Sequence, residues 1–233
     1  MYPYYYGFRF DPTMFILIPA ILFTMYAQFK VTSTTSRYFR VNTRRGYTGE
    51  MAARRLLDAN GLYDVKIDMT RGRLSDHYDP RSKVIRLSQD VYHGTSITSV
   101  AVACHECGHA IQHAKGYAPL QLRNSLVPVV SFASNISWFL IAIGLFFTGG
   151  PALKIGILLF SASVVFQIIT LPVEFNASSR AIAQMGDLGI VEGQEVRQSR
   201  SVLTAAALTY VAAALTSVLQ LVRLLAIAER RND

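Results

Sequence analysis

Hydrophobic and polar positions alternate along this chain in long blocks. Four blocks carry no charged residue: Met14–Phe29, Leu126–Phe147, Ile155–Val173 and Val202–Val222. A membrane-spanning helix needs about 20 mostly apolar residues, with a range of about 17–25. The last three blocks reach this length. The first is slightly short, but it follows aromatic residues that suit a membrane interface, namely Tyr2, Tyr4–Tyr6, Phe8 and Phe10. The pattern therefore predicts four transmembrane helices.

Two other interpretations of these blocks are disfavoured. A cleaved signal peptide needs a basic start and a small-residue cleavage site, whereas the first block follows Arg9 and Asp11 and ends in Tyr26-Ala27-Gln28-Phe29. Buried core helices of a soluble protein rarely lack charge over about twenty residues. We therefore expect an uncleaved anchor followed by three further spans.

The spans divide the chain into five predicted parts. They are residues 1–29 with the first span, 30–125 as a polar segment, 126–173 as a transmembrane hairpin, 174–201 as a second polar segment, and 202–233 with the last span and the C-terminal tail. The hairpin places both polar segments on one side of the membrane.

Charge predicts which side that is. The chain has a net charge of +8, and 18 of its 23 lysines and arginines lie in the two polar segments. The positive-inside rule places these segments in the cytoplasm, although Arg223, Arg230 and Arg231 then lie outside. We expect a multi-pass protein of the cell membrane. The basic charge needs no nucleic-acid partner to explain it.

The first polar segment has an α+β pattern. Helices are predicted at Gly49–Asn60, with Thr48 as cap and Gly61 as stop, and at Ser96–Ala114. Strands are predicted at Leu62–Met69 and Lys83–Ser88. Between them, Ser75–Pro80 is predicted to be a polar turn.

The second of these helices contains the motif H-E-x-x-H, as His105-Glu106-Cys107-Gly108-His109. Residues four apart share a helix face, so His105 and His109 can bind one zinc ion. Glu106 can then act as the general base on water. The small and apolar residues before the motif favour a metal site over an exposed helix face.

A catalytic zinc needs a third protein ligand. His113 lies about 12 Å along the helix axis from His105, so both cannot bind one ion. We predict a supporting or surface role for His113. Glu174 is the better ligand because a carboxylate at the end of an apolar helix is costly unless it is used. Asn176 and Arg180, further along, are predicted to orient ligands or bind substrate.

Two other groups are weaker candidates. Cys104 and Cys107 resemble a redox pair, but their mid-helix position favours packing in the core. His77 is a possible ligand or transition-state donor, although stabilising the polar turn is the favoured role.

The order and spacing of several stretches resemble a known family. The stretches LSDHYDPRSKVIRLS, SVAVACHECGHAIQHAKGYAPLQLRNSLVPVV, FQIITLPVEFNASSRA and VLTAAALTYVAA are similar to those of the bacterial membrane neutral zinc metallopeptidases of the YugP type. That family is distantly similar to the CAAX prenyl proteases and the HtpX membrane proteases.

The resemblance implies a zincin-like (gluzincin) catalytic region of helices and a small sheet, on the cytoplasmic side of four transmembrane helices. It implies that His105, His109 and Glu174 bind zinc. Ser178 stands where the distant relatives carry an acid, so a partner for a zinc histidine is expected elsewhere in the chain. Val84–Ser88 is the expected edge strand for the substrate backbone.

We therefore predict a membrane zinc endopeptidase that acts on protein or peptide substrates near the cytoplasmic membrane surface. A non-catalytic scaffold that binds zinc is the alternative, and a thiol redox protein is a third. The sequence does not determine whether the chain forms a homo-oligomer or binds another membrane protein.

Overall fold

The computed structural model describes residues 11–72, 75–148 and 150–230, without the side chains of 147 and 148. The aromatic residues predicted to lie at the interface, Tyr2 to Phe10, fall outside these ranges. The helices are α1 (Ile18–Tyr38), α2 (Gly49–Ala59), α3 (Gln89–Tyr92), α4 (Ile97–Ala114), α5 (Ala118–Ile143), α6 (Gly150–Asp187) and α7 (Gln194–Glu229). The strands are β1 (Lys66–Thr70), β2 (His77–Asp79) and β3 (Val84–Ser88).

The four predicted spans are confirmed as four helices long and apolar enough to cross a membrane: Pro12–Tyr38, Ala118–Phe146, Gly150–Asp187 and Gln194–Glu229. Each extends beyond its charge-free block. The first begins with a 3₁₀ turn, Pro12–Leu17, capped by the Asp11 side chain. Pro128 and Pro172 lie inside α5 and α6, as transmembrane helices tolerate.

These helices form a row rather than a closed bundle. Helix α6 packs between α5 and α7, and α7 packs in turn against α1. Within the described residues, α1 and α5 lie at opposite ends of this row and make little or no contact. A groove lined by side chains of all four helices therefore runs along one face.

The helices predicted in the polar segment form nearly as expected. Helix α2 starts after Thr48, whose hydroxyl accepts from the Met51 N–H, and α4 starts after Ser96, which accepts from Ser99 N–H. Gly61 and Gly116, just after these helices, have φ of +70° and +62°, which glycine adopts at little cost.

The sheet corrects two expectations. Its order is β1-β3-β2, with β1 parallel and β2 antiparallel to β3. The segment predicted as a polar turn, Ser75–Pro80, thus contains the short strand β2. Val84–Ser88 is the central strand and not an edge, because both of its neighbours bind its backbone. Both faces of this strand are largely buried, so its sequence lacks the alternation of apolar and polar residues that marks a half-exposed strand.

One hydrophobic core joins this half of the molecule to the membrane helices. It contains side chains from α2, α4 and β3, together with Ala181, Ile182 and Met185 of α6 and Val202 and Leu203 of α7. Helix α6 therefore continues without a break from the membrane row into this core. Its position against α4 builds the site described next.

Candidate metal centre

His105 and His109 lie one turn apart on α4 and face the same direction. Their ring centroids are 4.8 Å apart. His109 is buried, and His105 is partly buried. The spacing of the motif has therefore produced the shared face that the sequence predicted.

A glycine between the two histidines lets α6 approach α4. A Cβ atom built on Gly108 would lie 2.5 Å from the backbone oxygen of Ala177 in α6, so no larger residue fits without moving a helix. Three residues before Ala177, α6 carries Glu174. The close contact at Gly108 thus brings Glu174 to the histidines across 65 or more residues of sequence.

The three predicted ligands converge. Glu174 Oε2 lies 3.3 Å from His105 Nε2 and 3.6 Å from His109 Nε2. One ligand atom from each residue lies within 4.8 Å of those from the other two. Glu174 is 3% exposed, and within the described residues its Oε2 accepts no hydrogen bond. A buried oxygen without a donor, aimed at two imidazole nitrogens, fits a bound cation, and two histidines with one glutamate suit zinc.

The second nitrogen of each imidazole is held by a neighbour. His105 Nδ1 lies 3.1 Å from Ser178 Oγ, and His109 Nδ1 lies 3.0 Å from Gln112 Oε1. These contacts fix the ring orientations and leave both Nε2 atoms facing Glu174. The partner of His105 is therefore Ser178, which stands where the distant relatives carry an acid. The expectation that this partner comes from elsewhere in the chain was wrong.

Gln112 is part of a short polar network. Its amide group donates to the Val173 carbonyl at 2.8 Å and to Asn176 Oδ1 at 3.1 Å, and Arg180 donates to the same Asn176 oxygen at 2.7 Å. Asn176 and Arg180 therefore lie behind the histidine, away from the ligand atoms, and brace Gln112.

Arg123 of α5 holds the other oxygen of Glu174. Its guanidinium donates to Glu174 Oε1 at 2.9 Å, which leaves Oε2 for the histidine side. In the sequence, Arg123 is only one of the basic residues of the first polar segment, 30–125. Its proximity to Glu174 depends on the packing of α5 against α6, which the hydropathy pattern does not encode.

Glu106 lies beside the three ligands and is 8% exposed. Burial raises its pKa above the ordinary value, and the negative charge of Glu174 acts in the same direction. Glu106, His105 and Glu174 line a cleft of about 190 Å³ and an adjoining cavity of about 150 Å³. Tyr210 of α7 lines both and was not identified from the sequence, since nothing local marks it.

His77 and His113 lie outside the ligand group. His77 is exposed on β2 at the mouth of the cleft, and its Nδ1 lies 2.8 Å from the Ser75 carbonyl oxygen. His113 Nδ1 lies 2.9 Å from the Tyr78 hydroxyl, a contact that ties β2 to α4. Partial burial raises the pKa of Tyr78 to about 12, so its hydroxyl stays protonated at neutral pH.

The cysteines are core residues. Cys104 and Cys107 are buried free thiols, and Cys107 Sγ lies 3.6 Å from the Ala53 carbonyl oxygen of α2. Burial raises the pKa of both thiols, the opposite of what a reactive thiol needs. The packing interpretation is supported over the redox one.

Comparison with known proteins agrees with this geometry. The family model described as "Putative neutral zinc metallopeptidase" matches residues 13–229. The chain is 49% identical over 220 residues to the Bacillus subtilis (strain 168) protein named "Putative membrane protease YugP", covering 94% of this chain and 98% of that one. No solved structure matches. The chain therefore belongs to the family of neutral zinc metallopeptidases that this model describes, as the resemblance implied.

Proposed function

We propose that this protein is a zinc-dependent endopeptidase of the membrane, which hydrolyses peptide bonds of protein substrates at the membrane surface. The observation that carries the proposal is the convergence of His105, His109 and Glu174 within 4.8 Å, with the buried carboxyl of Glu106 beside them. A structural zinc site is closed by four protein ligands. Within the described residues only these three potential ligands form such a group, and they face an open cleft.

Each residue then has a distinct task. His105, His109 and Glu174 hold the zinc ion, which when bound lowers the pKa of water and polarises a peptide carbonyl. Glu106 takes a proton from the attacking water as the water oxygen bonds to the carbonyl carbon of the peptide. The same proton passes to the amine nitrogen as the C–N bond breaks, and the second proton of the water stays on the new carboxyl group, so the products are a carboxylic acid and an amine, which ionise at neutral pH. A raised pKa suits Glu106 to both transfers, because general acid–base catalysts work best with a pKa near the working pH.

The substrate backbone binds along β2 in this proposal. Strand β2 is an edge of the sheet, and His77, Tyr78 and Pro80 line the cleft beside the ligands. An extended peptide added to this edge would gain main-chain hydrogen bonds and pass the metal centre. This replaces Val84–Ser88, which is central and has no free edge.

Charge supports the location of the site. The part of the chain that carries α2, α4 and the sheet is rich in lysine and arginine, so the positive-inside rule favours a site facing the cytoplasm of a bacterial inner membrane. A membrane-impermeant thiol reagent tests this orientation. Cysteines are introduced at the exposed positions Tyr63 and Glu229, and in intact cells we expect the reagent to label only the Glu229 position. Labelling of the Tyr63 position in intact cells would contradict it.

The test of activity is the substitution Glu106→Gln in purified protein. We expect cleavage of a labelled peptide to fall by about 100-fold or more, as general acid–base catalysis is lost, while one zinc per chain is retained. Glu229→Gln, the same change at an exposed glutamate far along α7, serves as the matched control and should leave both unchanged.

Three results would contradict the proposal. Undiminished cleavage in Glu106→Gln would show that Glu106 is not the general base. Absence of cleavage in zinc-loaded wild type on membrane and soluble substrates alike would favour the zinc-binding scaffold. Cleavage that survives chelation would exclude the metal altogether.

A further inference from the structure

A groove runs along the open row of membrane helices, apart from the catalytic cleft. Its volume is about 510 Å³. Gln28 of α1 lines one wall, and Trp138 of α5 and Phe160 of α6 line the other, with their rings packed edge to face at 5.6 Å. Helix α7 forms the floor through Ala213 and Gln220 among others. The groove lies between segments that are all apolar enough to cross a bilayer.

One face of α7 lines both the groove and the cavity beside the metal centre. Ala206 and Tyr210 line the cavity beside His105 and Glu174, and Ala213, Ser217 and Gln220 line the groove. These positions are spaced three or four residues apart and therefore share one face of the helix. Tyr210 and Ala213 differ by only about 4.5 Å along the axis. A molecule lying in the groove thus has one end about one helical turn from Tyr210, which lines the cavity beside the metal centre.

The polar groups of the groove indicate what it binds. Thr209 and Thr216 donate to carbonyls of their own helix, but within the described residues the partly buried amide of Gln220 has no hydrogen-bond partner. A lipid acyl chain offers an amide neither a donor nor an acceptor. A protein helix offers both through polar side chains, and small floor residues such as Ala213 let two helices approach closely.

We propose that this groove binds a transmembrane helix of the protein substrate. The helix lies on α7 between α1 and α5, and the chain that leaves its end unwinds into the cleft beside β2. The inference rests on the proposed peptidase function and specifies its substrate class as membrane proteins cut a few residues beyond a transmembrane segment. The shared face of α7, which lines both the groove and the cavity beside His105 and Glu174, carries the choice of a substrate helix over lipid or a second copy of this chain.

Filling the groove tests the proposal. The protein is reconstituted in vesicles with a reporter that has one transmembrane helix and a cleavable tail, and the same tail is also supplied as a soluble peptide. We expect Ala213→Trp to slow cleavage of the anchored reporter at least tenfold and to change cleavage of the soluble peptide less than twofold. Val222→Trp is the control, because Val222 is 45% exposed and lies about 180° round the helix from Ala213. This control should cleave both substrates at the wild-type rate.

The outcomes are distinguishable. Equal slowing of both substrates by Ala213→Trp, or slowing of neither, overturns the groove proposal while the peptidase function stands. Cleavage of neither substrate by wild type overturns the peptidase function and this inference with it. If the ratio of anchored-reporter cleavage to soluble-peptide cleavage falls in Ala213→Trp but not in Val222→Trp, the result supports both the peptidase function and the groove proposal.

Photocrosslinking identifies the occupant directly. A benzophenone amino acid replaces Ala213, or Val222 as control, in the Glu106→Gln background so that substrate is held uncut. We expect a crosslink to the reporter helix from the Ala213 position only. Crosslinks from that position to lipid alone, or to a second copy of this chain, would overturn the proposal.

Discussion

The half of the molecule that carries α2, α4 and the sheet differs from the membrane row in how its helices are held. In the first half, Leu56, Leu57, Ile85 and Ile111 are fully buried in one core. In the row, only 11–28% of the most apolar stretch of each span is buried, and Leu158, Phe139 and Phe146 are 67–80% exposed. A closely packed core holds two ligands at a fixed spacing, whereas an open row leaves a surface on which another helix can lie. The site is built where α6 passes from one half to the other.

The same substitution in the two halves should have unequal effects. Leu57→Ala leaves a cavity in the core and should lower the free energy of unfolding by about 2–5 kcal/mol. Leu158→Ala, at a side chain that is 70% exposed, should lower it by less than about 1 kcal/mol, because lipid replaces the lost contact. Unfolding by denaturant in mixed micelles measures both. Equal losses would show that the row packs as tightly as the core.

The contact between the halves should depend on Gly108. In Gly108→Ala the added methyl meets the Ala177 backbone at 2.5 Å, so α4 and α6 must separate. We expect a loss of about 1–3 kcal/mol in stability, as for other overpacked sites, together with weaker zinc binding. Gly186→Ala, also in α6, has its nearest neighbour at 3.8 Å and should be stabilising by about 0.5–1 kcal/mol. Zinc binding that is unchanged in Gly108→Ala would refute the role of this close contact.

A smaller effect should follow from the network behind His109. Gln112→Leu removes the acceptor for His109 Nδ1 and the donor to Val173 and Asn176. Loss of such an outer partner typically weakens metal affinity by about 10–100-fold. Gln121→Leu, at an exposed position one turn into α5, should bind zinc normally. Competition with a fluorescent chelator measures the affinity, and equal values for the two variants would show that the network does not support the site.

The local parts of this structure could be predicted from sequence. The spans follow from charge-free length, α2 and α4 from their caps and stops, and the paired histidines from their spacing. Glu174 could be proposed because its cost near lipid demands a use. The spans, the helices and the shared face of the two histidines are confirmed because each depends on residues close together in the chain, whereas zinc binding by Glu174 stays a prediction.

What could not be predicted depends on packing between distant segments. Arg123 and Tyr210 reach the site only because α5 and α7 flank α6, and Gly108 matters only once α6 lies against it. The central place of β3 in the sheet follows only once β2 is known to be a strand. Strand β2 has three residues, too few to show an alternation of apolar and polar positions. The role of Ser178 was predicted wrongly because a serine hydroxyl, like a carboxylate, can form a hydrogen bond with an imidazole nitrogen.

The unbroken course of α6 has a consequence for the environment of this protein. One helix carries exposed apolar side chains such as Leu158 towards one end and Glu174 towards the other, so a change in helix tilt is expected to move that carboxylate. Helices accommodate bilayers of different thickness by tilting. We therefore expect hydrocarbon thickness to act on the spacing between Glu174 and the α4 histidines, so that zinc affinity measured in bilayers of different thickness should differ.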